Sequence, residues 1–216
     1  MKKFILIGAS GFVGSAILKE AINRGHKVTA VCRNPEKITL KSDNLTLVKA
    51  DVSSVDTVGS ICNGFDSVIS AYNPGWTNPK IAEETLSVYS SILAGAKKAR
   101  VKRLLCVGGA GTLFCKPGIR LVDAGIFPAE FLPAINALGD FYLKILTKEN
   151  VIDWIFFSPA SNIAPGKRTG KFRLGKDDLI VNEKGESSIS VEDYAVAMMD
   201  EFEKEAHHRE RFTIGY

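Results

Sequence analysis

Three glycines after a short apolar run constrain this chain more than anything else in it. Residues 3–14 read Lys-Phe-Ile-Leu-Ile-Gly-Ala-Ser-Gly-Phe-Val-Gly. Phe4 to Ile7 form a continuous apolar run, the pattern of a strand buried on both faces. Gly8, Gly11 and Gly14 follow at the spacing G-x-x-G-x-x-G. An amphipathic stretch from Phe12 to Arg24 comes next, with Ile17, Leu18, Ala21 and Ile22 at helical spacing. Strand, glycine turn and helix in that order predict a dinucleotide site. Gly8 turns the chain off the strand, Gly11 lets backbone N–H groups approach a pyrophosphate, and Gly14 lets the helix pack close. The phosphates would sit at the helix N-terminus, where unpaired N–H donors favour anions.

The rest of the chain alternates strand and helix patterns. Strands are predicted at 27–32, 45–49, 66–70, 103–107 and 152–157, with a last edge strand at 211–214. Helices are predicted at 35–37, 54–62, 79–99, 134–149 and 191–204, two of them opened by capping boxes that start at Ser53 and Ser190. Residues 112–133 read as irregular, and 161–189 as loop with short strands. The fold class is α/β, a single Rossmann domain over residues 1–216 with a doubly wound parallel sheet in the order 3-2-1-4-5-6. Substrate-side segments are expected near 112–135 and 160–190, because ligands bind beyond the carboxyl ends of the strands.

Charge argues against some partners. The net charge of +4 comes with no basic stripe, so nucleic-acid binding is not expected. The one basic concentration, Gly166 to Lys171 with Arg173, reads as a solvated hairpin. No run approaches the roughly 20 apolar residues a membrane span needs. Cys32, Cys62, Cys106 and Cys115 form no C-x-x-C pair and have no metal-like spacing with histidine. They read as reduced thiols of a cytoplasmic protein, with no metal site.

Strand two ends Cys32-Arg33-Asn34, where an acid would bind the ribose diol of NAD. An arginine there suits a 2′-phosphate, so NADP(H) is favoured over NAD(H). Asp51, after strand three, can accept from the adenine amino group, with Val52 beside the ring.

The segments G-A-S-G-F-V-G, V-C-R-N-P-E-K, A-D-V and S-A-Y-N-P-G together resemble the atypical short-chain dehydrogenase/reductase group. Within it the chain looks most like the NmrA-like and NADH-flavin-reductase-like proteins, often labelled NAD-dependent epimerase/dehydratase. The resemblance implies that Gly8, Ser10, Gly11, Phe12 and Val13, with Gly14 behind them, contact the pyrophosphate. It implies Arg33 on the adenosine phosphate, Asp51 and Val52 on adenine, and Ser70, Ala71 and Tyr72 along the ribose. It places Val107, Gly108 and Gly109, with Ser158, Pro159 and Ala160, beside the nicotinamide.

The group's well-known members pass a proton through a Tyr-x-x-x-Lys pair. Here Tyr142 has Leu146 at that offset, and Tyr72, Tyr89 and Tyr194 have Trp76, Leu93 and Met198. No catalytic residue is assigned. The acceptor chemistry expected is hydride transfer to a planar ring, with FMN or FAD or a quinone as substrate, because such a ring takes hydride directly and solvent supplies the proton. Trp76, Phe114, Phe127 and Tyr142 are the candidate pocket for that ring. Two other readings stand beside this one. The first is a non-catalytic NADP(H) sensor acting through a protein partner, and the second a sugar-nucleotide epimerase or dehydratase.

Overall fold

A computed structural model describes residues 1–216. In chain order the elements are β1 (Lys3–Ile7), α1 (Phe12–Asn23), β2 (Lys27–Cys32), β3 (Leu45–Lys49), α2 (Val55–Cys62), β4 (Ser67–Ser70), α3 (Ile81–Lys98) and β5 (Arg103–Val107). A small hairpin follows, β6 (Phe114–Lys116) and β7 (Ile119–Arg120), then α4 (Leu132–Asp140) and β8 (Asp153–Ser158). The chain closes with β9 (Asn162–Ala164), β10 (Arg173–Gly175), β11 (Ser188–Ser190), α5 (Val191–Lys204) and β12 (Glu210–Gly215).

Eight strands form one sheet in the order β10-β12-β8-β5-β4-β1-β2-β3. The predicted order of the first six strands is present, with β8 as the sixth. All neighbours run parallel except β10, which pairs antiparallel with β12. The last strand, expected at the edge, lies inside the sheet. Arg173 to Gly175 fold back onto Thr213 to Gly215 and take the edge position.

The sheet is buried on both faces, which explains the unbroken apolar run of β1. Phe4 and Leu6 join a core with Ile17 and Leu18 of α1 and Met198 and Phe202 of α5. Ile5 and Ile7 join the opposite core, with Val58 of α2, Ile92 of α3 and Phe141 after α4. The period-two alternation of a strand sends successive side chains into the two cores. Along β8, Phe157 and Phe156 divide the same way.

Local chemistry sets several boundaries. Ser190 caps α5 by accepting from the Asp193 N–H at 3.0 Å. At α2 the capping hydroxyl is that of Ser54, accepting from the Thr57 N–H. It replaces the predicted Ser53, whose N–H donates instead to Asp51. The helix predicted for 134–149 is α4, then a π-turn at Phe141–Ile145 and a 3-10 turn at Leu146–Lys148.

The basic stretch 166–171 is tied down. Arg168 forms a two-pronged pair with Glu20 of α1, both contacts at 2.8 Å. The Asp193 carboxylate accepts from the N–H groups of Thr169 and Gly170, each at 2.8 Å. No helix is long and apolar enough to cross a membrane.

Candidate cofactor site

The turn after β1 is built as its glycines require. Gly8 has φ +79°, and a Cβ there would stand 2.4 Å from the Ala71 carbonyl oxygen. Its N–H donates to the Val31 carbonyl, and its own carbonyl accepts from the Gly11 N–H at 3.0 Å. At Gly14 a Cβ would lie 2.1 Å from that same Gly8 oxygen, so the helix can approach the strand only without a side chain. Gly11 caps α1 with extended backbone and no side-chain bond, and the first helical bond runs from the Ser15 N–H to its carbonyl. The early N–H groups of α1 are left without side-chain partners, as an anion site needs. Ser10 is half-buried at this turn, Val13 is partly buried, and Phe12 is exposed.

A cavity of about 450 Å³ opens beyond the carboxyl ends of β1 to β4. It gathers eight of the predicted cofactor residues: Gly8, Ser10, Gly11, Arg33, Asp51, Val52, Ala71 and Tyr72. They come from four separate segments, brought together by the parallel order β3-β2-β1-β4. Arg33 is exposed, and its Nη2 donates to the Pro74 carbonyl at 3.4 Å. The Asp51 carboxyl accepts from the Ser53 N–H at 2.9 Å. That bond, with smaller help from the Ser53 hydroxyl and the Arg33 charge, holds Asp51 below its ordinary range. Burial pushes the Tyr72 phenol up to about 12, aided by the nearby Glu84 charge. Tyr72 therefore stays protonated at neutral pH and can act only as a neutral hydrogen-bonding group.

The remaining predicted cofactor residues are not in the cavity lining. Ser70 is buried at the end of β4. Val107, Gly108 and Gly109 extend β5 next to Ser158, Pro159 and Ala160, with the Gly108 N–H donating to the Phe157 carbonyl at 2.8 Å. Gly108 sits against the Phe156 ring, where a Cβ would fall 2.6 Å from it. The cavity gathers residues expected on the pyrophosphate and adenosine side of the site, and none of those expected beside the nicotinamide.

Lys37, Glu84, Ser87 and Val88 are among the lining residues that sequence reasoning missed. Lys37 places a second cation on the same cavity as Arg33. Glu84, Ser87 and Val88 share one face of α3, following the i, i+3, i+4 rule.

The candidate acceptor residues divide. Trp76 is 57% exposed and meets Phe131 edge to face at 5.3 Å, so the β4 loop touches the segment before α4. Phe127 and Phe114 are partly buried, Phe114 within the β6–β7 hairpin. Tyr142 lies elsewhere. The π-turn carries it inward, where it is 8% exposed and stacks on Phe156 at 4.6 Å with an interplanar angle of 19°. The Arg211 guanidinium lies 5.0 Å from its ring and bonds the Thr112 hydroxyl at 2.8 Å. Tyr142 and Thr112 are thus packing partners of a buried arginine, outside the cavity lining.

A dinucleotide fits what is present: helix N–H groups without side-chain partners beside a glycine turn, two cations, and Val52 and Val88 in the cavity lining. Comparison with known proteins agrees. A family model described as NAD(P)H-binding matches residues 8–205. The chain is 42% identical over 215 residues to the uncharacterized protein YwnB of Bacillus subtilis, covering 98% of this chain and 97% of YwnB. A Bacteroides thetaiotaomicron crystal structure, provisionally named an epimerase, is 60% identical with a TM-score of 0.95, covering 100% of this chain and 97% of that one. A Streptococcus pneumoniae structure, provisionally named an NADH-flavin reductase, is 36% identical with a TM-score of 0.81, covering 100% and 99%. The chain belongs to the NAD(P)H-binding family, in the atypical short-chain dehydrogenase/reductase, NmrA-like group.

Proposed function

We propose that the protein is an NADPH-dependent reductase that passes hydride to a flavin, a quinone or a similar planar ring. The observation that carries the cofactor preference is the pairing of Arg33 and Lys37 on one cavity, with no acid at the end of β2. Two cations there suit a 2′-phosphate. The reduced nicotinamide, when bound, supplies the hydride. The glycine turn and the start of α1 hold the pyrophosphate, and Asp51, Val52 and Val88 seat the base.

The acceptor class follows from what the site's own residues offer. Tyr142 has leucine four residues on and is buried against Phe156 and Arg211. Burial raises the Tyr72 phenol to about 12, with the Glu84 charge raising it further and the Arg33 charge opposing. A carbonyl reduction that needs a strong protein acid is therefore disfavoured. A flavin or quinone ring needs less. Hydride enters the electron-poor ring, water supplies the proton, and the protein stacks the partners and excludes other geometries. Trp76 and Phe131, exposed and packed edge to face, suit an aromatic acceptor. The Streptococcus relative's name points the same way, and the reaction is assigned to the cytoplasm, where thiols stay reduced.

The test is steady-state oxidation of NADPH with FMN, FAD and a quinone series. Turnover well above the rate without protein supports the reading. No acceleration across the panel, in protein shown to bind NADPH, refutes it.

A further inference from the structure

Arg211 stands on β12 with a side chain only 4% exposed. A buried charge is costly unless its donors are paired. Here Nη1 donates to the Thr112 carbonyl at 2.9 Å and to the Thr112 hydroxyl at 2.8 Å. Nε donates to Asp177 Oδ1 at 2.9 Å, and Nη2 donates to the same oxygen. The guanidinium also lies over the Tyr142 ring, 5.0 Å from its centroid. Filling this space needs no charge, since an apolar side chain would do so at less cost. What the fork adds is direction, because it fixes two chain segments at once. Thr112 belongs to the segment after β5, and Asp177 to the segment after β10. The two segments meet again at Phe114, whose N–H donates to the Asp177 carbonyl and whose carbonyl accepts from the Leu179 N–H, each at 2.8 Å.

Thr112 also ends the seat on which α4 rests. A Cβ on Gly111 would stand 2.3 Å from Ile135 Cγ2, and one on Gly109 would stand 3.3 Å from Leu138 Cδ2. From the helix side, a Cβ on Gly139 would lie 3.0 Å from Thr112 Cγ2. The two glycines let α4 approach closely but offer no side chain to set where it stops. Thr112 offers one, and Arg211 holds it. The helix begins directly after Phe131, which meets Trp76 edge to face. We propose that Arg211 is a positioning residue for the acceptor: by clasping Thr112 to Asp177 it fixes how α4 sits, and with α4 the Phe131–Trp76 pair. This rests on the reductase reading given above, in which that pair suits the planar ring, and adds the group that sets its place. Arg211 does not line the cofactor cavity, so its loss should act on the acceptor and spare NADPH. Lysine cannot replace it, because a single ammonium lacks the fork.

The test measures NADPH affinity by fluorescence titration, and KM and kcat for FMN and for menadione, a quinone, in wild type, Arg211→Met, Arg211→Lys and Asp177→Asn. Amide hydrogen exchange across 109–116 and 129–140 is followed in the same proteins. In Arg211→Met the acceptor KM should rise about tenfold or more while NADPH affinity stays within about twofold, since a small displacement of a positioning element is felt at the group it positions. Exchange should quicken in both segments. Arg211→Lys, which keeps the charge without the fork, should recover only part of either effect. Asp177→Asn should move both in the same direction by less. If Arg211→Met does not fold, Asp177→Asn supplies the measurement, because Asp177 is 53% exposed and its change leaves no cavity. An unchanged acceptor KM with the clasp broken, or acceptor KM and NADPH affinity worsening together, overturns the assignment. A wild type that binds NADPH but reduces neither acceptor overturns the reductase reading instead. Exchange that stays slow in Arg211→Met overturns the seating of α4 whatever the activity shows.

Discussion

Replacing Arg33 with alanine separates the two cofactors most sharply. Arg33 is exposed, and its one hydrogen bond in the protein is the 3.4 Å bond to the Pro74 carbonyl. A bond at that distance is weak, so folding stability should change by no more than about 0.5 kcal/mol. Against a 2′-phosphate the loss is larger. Hydrogen bonds to charged groups contribute roughly 1.5–3 kcal/mol. Exposure to solvent and the second cation, Lys37, argue for the low end. A loss of about 1.5–2 kcal/mol weakens NADPH binding about 10- to 30-fold. NADH has no 2′-phosphate, so its affinity should move by less than about twofold. Fluorescence titration with both cofactors measures the ratio, and repetition at high salt should shrink the difference because the pair is exposed. Equal weakening of NADPH and NADH, or none for either, would show that Arg33 does not read the phosphate.

Two other perturbations test the scaffold. Gly14→Ala gains roughly 1 kcal/mol of helix propensity but drives a Cβ to 2.1 Å from the Gly8 carbonyl oxygen. Relief requires opening the turn, so urea denaturation should show a net loss of about 1–2 kcal/mol, and NADPH affinity should fall about tenfold or more. Arg168→Ala should cost about 1 kcal/mol or less at pH 7, since the arginine is half exposed. Its bond to Glu20 is the largest influence holding that carboxyl below its ordinary value of 4.5, followed by burial, which opposes it, and then by Arg24. A lowered folded value stabilises the protein above the unfolded value and is lost as pH falls through the folded one. The difference between variant and wild type should therefore shrink from pH 7 to pH 3, and a difference that grows on acidification would contradict the assignment.

The sheet order was legible in sequence because β1 to β5 and β8 are short apolar runs separated by helical patterns, and right-handed crossovers leave few arrangements. The edge was not. Pairing of Arg173–Gly175 with β12 joins residues about 40 apart across β11 and α5, so no turn signal sets it. The turn around Gly8 was legible because three glycines carry backbone constraints that need no neighbours to interpret. Lys37, Glu84 and Ser87 were not, since polar residues on short or amphipathic helices read as solvated surface. A signal existed at Glu84, which lies one turn before the apolar Val88 and so faces the same way. The placement of Tyr142 was not legible for a related reason. A regular helix offers its tyrosine to either side, and only the π-turn and the buried Arg211 decide that it points into the core.

The central claim is that this cavity holds NADPH for transfer to a planar acceptor. The most direct measurement is stopped-flow mixing of the NADPH-loaded protein with FMN, following nicotinamide absorbance and flavin reduction together. The account predicts that both signals change at one rate, faster than in protein-free solution and slowed when the hydride is replaced by deuteride at the transferred position. Tight NADPH binding with no acceleration for FMN, FAD or any quinone would contradict it and favour the sensor reading, in which the loaded protein acts through a partner.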